Sequence, residues 1–379
     1  MENYSTSPLT AGSYSILPVT IENYNVSSVT TENYSISPGH TTFLPNRKTY
    51  LPPAYFIFTS PLVQGLLRAK KVLLPICVFL GLFGNVMTLA ITRRFKANRS
   101  PMDVYFMGLA VTDLCFIIAG PLPIWIHKET GFQVVTAHNV VCKLVRFAVN
   151  VAAGSSAWIL VAMATQRAVS VVWPHRVNAL CTPRRSGKII LAIIAFFCLA
   201  YSHMLYGFGV VRIFFFRACT VASRGYESFI RNVWAKLDIF LCSLLPFVCL
   251  FLCNGVLVLK LKTSVKDVND QLAGTDSQRA SRAKIVNSIT LTAIIVSLTF
   301  VLLSLPLAIR NMVSFLTVPT EVTDDAILRA FLGDFFYLVA CFNFSVNFDL
   351  YCLTGEKFRN EFKKIFCGFR ERLTTACGR

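Results

Sequence analysis

Long stretches without charge alternate with short polar segments along most of this chain. Residues 72–92, 147–166, 239–259 and 285–309 contain no Asp, Glu, Lys, Arg or His. A helix needs about 20 apolar residues to cross the hydrocarbon core of a bilayer, and each of these stretches reaches that length. The pattern therefore predicts four membrane-spanning helices.

Three weaker stretches complete the pattern. Residues 104–126 hold one charge, Asp113, residues 189–211 hold only His203, and residues 335–348 are uncharged within a longer apolar segment. Buried helices of a large soluble protein imitate one or two such stretches, but seven leave too little polar chain for a soluble shell. We therefore predict an all-α membrane protein, a seven-transmembrane helix bundle whose spans one to seven occupy residues 71–354.

Composition and charge agree with this class. The chain is 54% hydrophobic and 15% charged, with a net charge of +18. A basic excess also suits nucleic-acid-binding proteins, but here basic residues cluster in the loops after spans one, three, five and seven, which the positive-inside rule assigns to the cytoplasm. We expect a multi-pass plasma-membrane protein that contacts lipids, has its N-terminus outside and binds no nucleic acid.

Polar segments flank the predicted bundle. Residues 1–70 are rich in Ser, Thr and Pro and are predicted to be a disordered extracellular tail. The tail contains three Asn-x-Ser sequons, at Asn3, Asn25 and Asn33. If the tail is outside, these asparagines are predicted to be glycosylated. No cleavable signal peptide is visible, because Met1 is followed by polar residues.

The segment after span seven is predicted to be a short amphipathic helix over residues 355–367, lying on the inner membrane surface. Cys367 at its end is either palmitoylated or an inert reduced cysteine. Residues 368–379 would then form a cytoplasmic tail. One face of this helix is apolar, with Phe358, Phe362, Ile365 and Phe366.

Short motifs recur in a fixed order across the spans. Span one contains GNVMTLAI with Asn85, span two contains LAVTDL with Asp113, and span three ends on TQR with Arg167. Span seven contains NFDLY with Asn347 and Tyr351. Together they resemble the rhodopsin-like (class A) G protein-coupled receptors. The loop GVVRIFFFRACTVASRGYES and the tail sequence YCLTGEKFRNEF resemble the peptide-receptor branch of that family.

The resemblance implies a receptor that is not an enzyme, binds an extracellular ligand and activates a heterotrimeric G protein. Its coupling residues would be Arg167, Gln166, Asn347 and Tyr351. It also implies a disulfide between Cys142 and Cys219, both of which would face the oxidising outside.

Three positions depart from the family pattern. Gln166 replaces the usual acid before the arginine, Ser304 replaces a tryptophan of span six, and Phe348 replaces the proline of span seven. These departures leave open a receptor fold with lost or constitutive signalling. A channel or transporter is a weaker alternative, since neither inverted repeats nor polar rings along a pore are evident.

The intramembrane carboxylate Asp113 has two interpretations. By resemblance, Asp113, Ser156, Asn343 and Asn347 would line a cavity for sodium and water. No cofactor besides that ion is expected. In the alternative interpretation a protonated Asp113 is hydrogen-bonded to Asn85 and Asn347, and no ion is bound.

Ligand class is less well determined by the sequence. Val149 stands where amine receptors carry an aspartate, which argues against a monoamine, and a hairpin-like outer loop favours a neuropeptide. A small acidic or lipid ligand is the alternative. The candidate ligand-binding residues are Arg146, Val149, Asp238, Arg310 and Tyr337.

Arg167 lacks the two acids that usually restrain this arginine. Gln166 is neutral, and residues 284–288 of span six contain no acid. The absence of a charge-assisted partner predicts ligand-independent coupling. The alternative is a packing role in which Arg167 extends to the lipid headgroups.

Overall fold

The chain is described by a computed structural model over residues 61–95, 99–213, 216–271, 277–316, 324–356 and 358–365. This part contains six helices long and apolar enough to cross a membrane, and a seventh when the bent pair Phe331–Asn343 and Asn347–Thr354 counts as one span. The predicted seven-transmembrane helix bundle is thus confirmed.

Spans one to four come first along the chain. Their helices are Pro61–Arg94 in span one, Pro101–Ala119 and Pro121–Thr130 in span two, Asn139–Val172 in span three, and Pro183–Tyr201 with Met204–Gly207 in span four. Short helices in the connections are Val134–Ala137, Pro174–Arg176 and Val177–Leu180.

Spans five to seven are less regular. Span five runs through Arg224–Phe229, Ile230–Trp234, Ala235–Ile239, Phe240–Leu244 and Leu245–Gln271, the second and fourth of which are π-helical turns. Span six is Ser277–Leu316. Span seven is Asp324–Asn343 followed by Asn347–Thr354.

Span one begins earlier than its hydrophobicity predicts. Its helix starts at Pro61, so residues 61–70 are helical rather than part of the tail. Lys70 Nζ donates to Asp334 Oδ2 of span seven at 3.0 Å, and the two side chains are only 7% and 17% exposed. The predicted boundary at residue 71 was wrong because hydropathy marks the part of a helix inside the bilayer, not its end.

Span four ends earlier than predicted. The chain leaves the helix at Gly207 and forms an antiparallel hairpin of Phe208–Ile213 and Phe216–Val221. A side chain at Gly207 would collide with the ring of Tyr226, since its Cβ would lie 2.0 Å from that ring. Apolar residues continue into the first strand, and hydropathy does not separate an apolar strand from the end of a helix.

The β-hairpin lies at one end of the bundle, the hairpin end, and Arg167 lies at the other, the arginine end. At the arginine end, the ring centroid of Phe106 lies 4.2 Å from that of Tyr351 and 6.1 Å from that of Phe358. These rings belong to a buried cluster that joins spans two and seven to the C-terminal helix.

The C-terminal helix is described over residues 358–365. Phe358 is 4% exposed, and Phe362 and Ile365 pack against the same cluster. The predicted apolar face therefore packs against the bundle.

Other predicted features lie outside the described residues. They are Asn3, Asn25, Asn33, Cys367 and the tail 368–379.

Candidate functional site

A buried polar group occupies the middle of the bundle. Asp113 of span two is fully buried, and its Oδ1 accepts a hydrogen bond from Ser156 Oγ of span three at 2.7 Å. Its Oδ2 accepts from Asn347 Nδ2 of span seven, also at 2.7 Å. One carboxylate thus joins three spans, and the structure brings together three of the four residues predicted to line a sodium cavity.

Asn343, the fourth residue, ends the first helix of span seven, just before the break that separates it from Asn347, and is 1% exposed. Its Nδ2 atom is buried and has no hydrogen-bond partner within the described part of the chain. A buried amide donor without a partner is costly and points to a bound water. Carboxylate, hydroxyl and amide oxygens are also the ligands that hard cations prefer, so the residues present fit sodium with water.

Asn85 does not bond Asp113, so the alternative prediction was wrong on this partner. Its Nδ2 donates to Gly81 O at 3.0 Å and to Phe344 O at 2.8 Å. Phe344 lies at the break of span seven, where helical hydrogen bonding is interrupted. Asn85 therefore satisfies a carbonyl at a bend of 43° that forms although Phe348 replaces the usual proline.

At the arginine end, Gln166 is engaged with span four. Its Oε1 accepts from Ser186 Oγ at 3.0 Å, and Ser186 is 1% exposed. The Nε of Arg167 is buried and makes no hydrogen bond to the residues that the structure describes. Gln166 is thus hydrogen-bonded to span four, whereas the Nε–H of Arg167 remains an unsatisfied donor.

Asp103 is a buried acid at the arginine end that the sequence reasoning did not single out. It lies in the first turn of span two and is 4% exposed. Asp103 Oδ2 accepts from Ser100 N at 2.7 Å, and Ser100 Oγ accepts from Asp103 N at 3.3 Å. The Ser-Pro-Met-Asp sequence signals this capping box, but it does not reveal that the carboxylate is buried.

Tyr351 and Asn347, the other predicted coupling residues, lie on one helical turn of span seven. Tyr351 is 2% exposed, and its buried hydroxyl has no hydrogen-bond partner among the described residues. Because Asn347 also bonds Asp113, this turn connects the polar centre with the aromatic cluster of the arginine end.

At the hairpin end, the predicted disulfide is present. Cys142 of span three is bonded to Cys219 of the hairpin, with their Cα atoms 5.5 Å apart. Arg146, one turn further along span three, donates from Nη2 to Cys219 O at 2.8 Å. Its guanidinium carbon lies 5.4 Å from the centroid of the Phe208 ring. Arg146 therefore anchors the hairpin from below.

Two more predicted ligand residues meet beneath the hairpin. Val149 and Tyr337 are buried in one cluster beside the break of span two at Gly120. A Cβ at Gly120 would lie 3.0 Å from the Tyr337 hydroxyl and 3.6 Å from Val149. Arg146 lies one helical turn before Val149 on span three, and Val149 shares its cluster with Tyr337, so the three residues lie along one region beneath the hairpin.

Arg310 and Asp238 are placed separately. The guanidinium of Arg310 on span six packs over Gly333 of span seven. A Cβ added at Gly333 would lie 2.6 Å from Arg310 Nε. Asp238 accepts a hydrogen bond from the hydroxyl of Tyr201, on span four. The structure thus gathers three of the five predicted ligand residues and assigns Asp238 to the contact between spans four and five.

Comparison with known proteins decides the family. Residues 84–351 match the family model described as 7 transmembrane receptor (rhodopsin family). The chain belongs to this family. Its members are receptors, in agreement with the prediction that the chain is not an enzyme.

This rhodopsin-family receptor is similar to several hormone receptors. It is 24% identical over 353 residues to the thyrotropin-releasing hormone receptor of Gallus gallus, covering 86% of this chain and 82% of the relative. It is 26% identical over 309 residues to somatostatin receptor type 5 of Rattus norvegicus, covering 79% of each. It is 25% identical over 148 residues to growth hormone secretagogue receptor type 1 of Oryctolagus cuniculus, covering 38% of each.

Proposed function

We propose that this receptor binds an extracellular peptide at its hairpin end and activates a heterotrimeric G protein at its arginine end. The relatives are named as receptors for thyrotropin-releasing hormone, somatostatin and growth hormone secretagogues, which supports a peptide ligand. The basic loops at the arginine end support a plasma-membrane orientation with the N-terminus outside.

The observation that carries the proposal is a series of contact groups placed along spans two, three and seven from one end to the other. Arg146, Val149 and Tyr337 lie beneath the hairpin, the Asp113 group joins spans two, three and seven below them, and Tyr351 lies beyond it at the arginine end. A ligand that shifts span three or seven must therefore act on the polar group between them. Differential contacts in two states are what allosteric coupling requires.

Sodium would bind at the same polar centre. Asp113, Ser156, Asn343 and Asn347 would hold it, with water completing the shell. The ion supplies a positive charge that favours an ionised Asp113 and the helix arrangement that surrounds it.

A peptide library screened on expressing cells tests the function, with nucleotide exchange on a panel of G proteins as the measurement. We expect at least one peptide to raise exchange, and Arg167→Ala to abolish the response at equal surface expression. Arg184→Ala removes an exposed arginine at the same end and is the matched control. A response only to acidic small molecules or lipids would contradict the peptide assignment. Nucleotide exchange that is the same with and without every ligand, and the same in Arg167→Ala, would contradict coupling.

A further inference from the structure

We propose that a hydrogen bond between Thr292 and Thr354 holds span six against span seven in the resting receptor, and that breaking this bond releases span six for coupling. The inference rests on the proposed coupling function. The sequence motifs assign no role to either threonine.

The contact between the two threonines joins different spans. Thr292 Oγ1 of span six donates to Thr354 Oγ1 of span seven at 2.7 Å, although the two residues are 62 positions apart in the chain. Thr354 Oγ1 in turn donates to Leu350 O of its own helix at 2.6 Å. These two bonds fix the direction of both hydroxyl hydrogens, since each hydroxyl has only one to donate. Thr292 is 4% exposed, so water competes little for its bond.

Span seven is the fixed half of this contact. The C-terminal helix caps its end, because Arg359 Nη1 donates to Leu353 O at 2.9 Å and to Cys352 O at 3.1 Å. The carbonyl groups at the end of a helix need such partners. Phe358 of the same C-terminal helix is 4% exposed and lies in one buried cluster with Tyr351. The end of span seven is therefore tied to the C-terminal helix independently of span six.

Span six packs beside the turn of span three that precedes Arg167. Ala293 and Val296 of span six lie in one buried cluster with Met163 and Ala164 of span three. The Nε of Arg167 is buried, so another protein reaches it only when a neighbouring span moves. Moving span six away from this turn uncovers span three, and the threonine bond must break for that movement to occur. The bond thereby sets how often Arg167 is available without a ligand.

The test measures basal nucleotide exchange by full-length receptor in lipid nanodiscs without ligand. Thr292→Val keeps the shape of the side chain and removes its hydrogen-bond donor. We expect exchange to rise roughly five-fold, because one neutral hydrogen bond contributes about 1 kcal/mol. Thr292→Ser keeps the hydroxyl and should leave exchange near the wild-type level. Ser297→Ala is the matched control on span six, since the buried Ser297 Oγ donates to Ala293 O of its own helix at 2.6 Å. Its exchange should equal that of wild type.

A thermal unfolding cycle separates this inference from the coupling function. We expect Thr354→Val to lower the unfolding temperature of the wild-type receptor more than that of Thr292→Val, because the second background has no bond between the spans to lose. If exchange does not depend on Arg167, coupling fails and the cycle alone decides the inference. Equal unfolding shifts in both backgrounds would overturn it. So would a receptor that couples through Arg167 but exchanges no faster as Thr292→Val than as Ser297→Ala.

Discussion

The two ends of the bundle differ in the kind of contact that joins their elements. At the hairpin end, a disulfide joins Cys142 to Cys219, and Lys70 is paired with Asp334. At the arginine end, buried Nε of Arg167 and the hydroxyl of Tyr351 have no hydrogen-bond partner among the described residues. Buried groups at the hairpin end, His203 Nε2 and Arg310 Nε among them, likewise have no hydrogen-bond partner among the described residues, so the difference lies in the disulfide and the buried ion pair. We infer that these covalent and ionic links make the hairpin end the more rigid of the two.

Removing the disulfide should have the largest effect on this contrast. The bond closes a loop with a sequence separation of 77 residues, which is worth about 4 kcal/mol in the chain-entropy model. We expect Cys142→Ser or Cys219→Ser to lower both surface expression and the unfolding temperature sharply. Cys115→Ser, at an exposed free cysteine, is the control. Wild-type stability in both disulfide variants would show that the hairpin is held by other contacts.

Breaking the Lys70–Asp334 pair should have the next largest effect. Removing one partner of a buried ion pair leaves an uncompensated charge and costs about 3 kcal/mol, so Asp334→Asn should unfold at a clearly lower temperature. Lys71→Gln neutralises the exposed neighbouring lysine and should be silent. The exchanged pair Lys70→Asp with Asp334→Lys should recover part of the loss. If the exchange recovers nothing, the charges contribute little to joining spans one and seven.

Sodium should then stabilise the polar centre between the two ends. An ion at about ten times its Kd adds about 1.4 kcal/mol to the free energy of unfolding. We expect the wild-type receptor to unfold at a higher temperature in sodium chloride than in an equal concentration of N-methylglucamine chloride. Asp113→Asn should abolish this difference. Ser345→Ala changes a buried hydroxyl that bonds Cys77 O instead of Asp113, so it should keep the sodium response. Equal temperatures in both salts for wild type would favour a protonated Asp113 without an ion.

The bundle could be predicted from the sequence because bilayer thickness fixes the length of an apolar helix. The ends of spans one and four could not, since the Lys70–Asp334 pair and the turn into Phe208 depend on tertiary contacts that hydropathy does not record.

The site shows the same limit. Motif order identified Asp113 and Asn347, which are hydrogen-bonded in the structure. Asp103 was not singled out because its burial depends on helix packing, which sequence spacing does not record. Asp238 was placed with the ligand residues because its charge lies just inside a span, yet it bonds Tyr201 of span four.

The smallest effect is expected from Gln166→Glu, which alters one charge at the arginine end. Glutamate keeps the oxygen that accepts from Ser186 and adds a negative charge beside Arg167. A charge-assisted contact gains about 1 kcal/mol over a neutral one, so ligand-independent nucleotide exchange should fall roughly five-fold. The unfolding temperature should change little, because the bond to span four persists. Ser186→Ala removes that bond without adding charge, and it should lower stability while leaving exchange nearer to wild type. If Gln166→Glu leaves basal exchange unchanged although Arg167→Ala abolishes it, the missing acid does not set the resting activity.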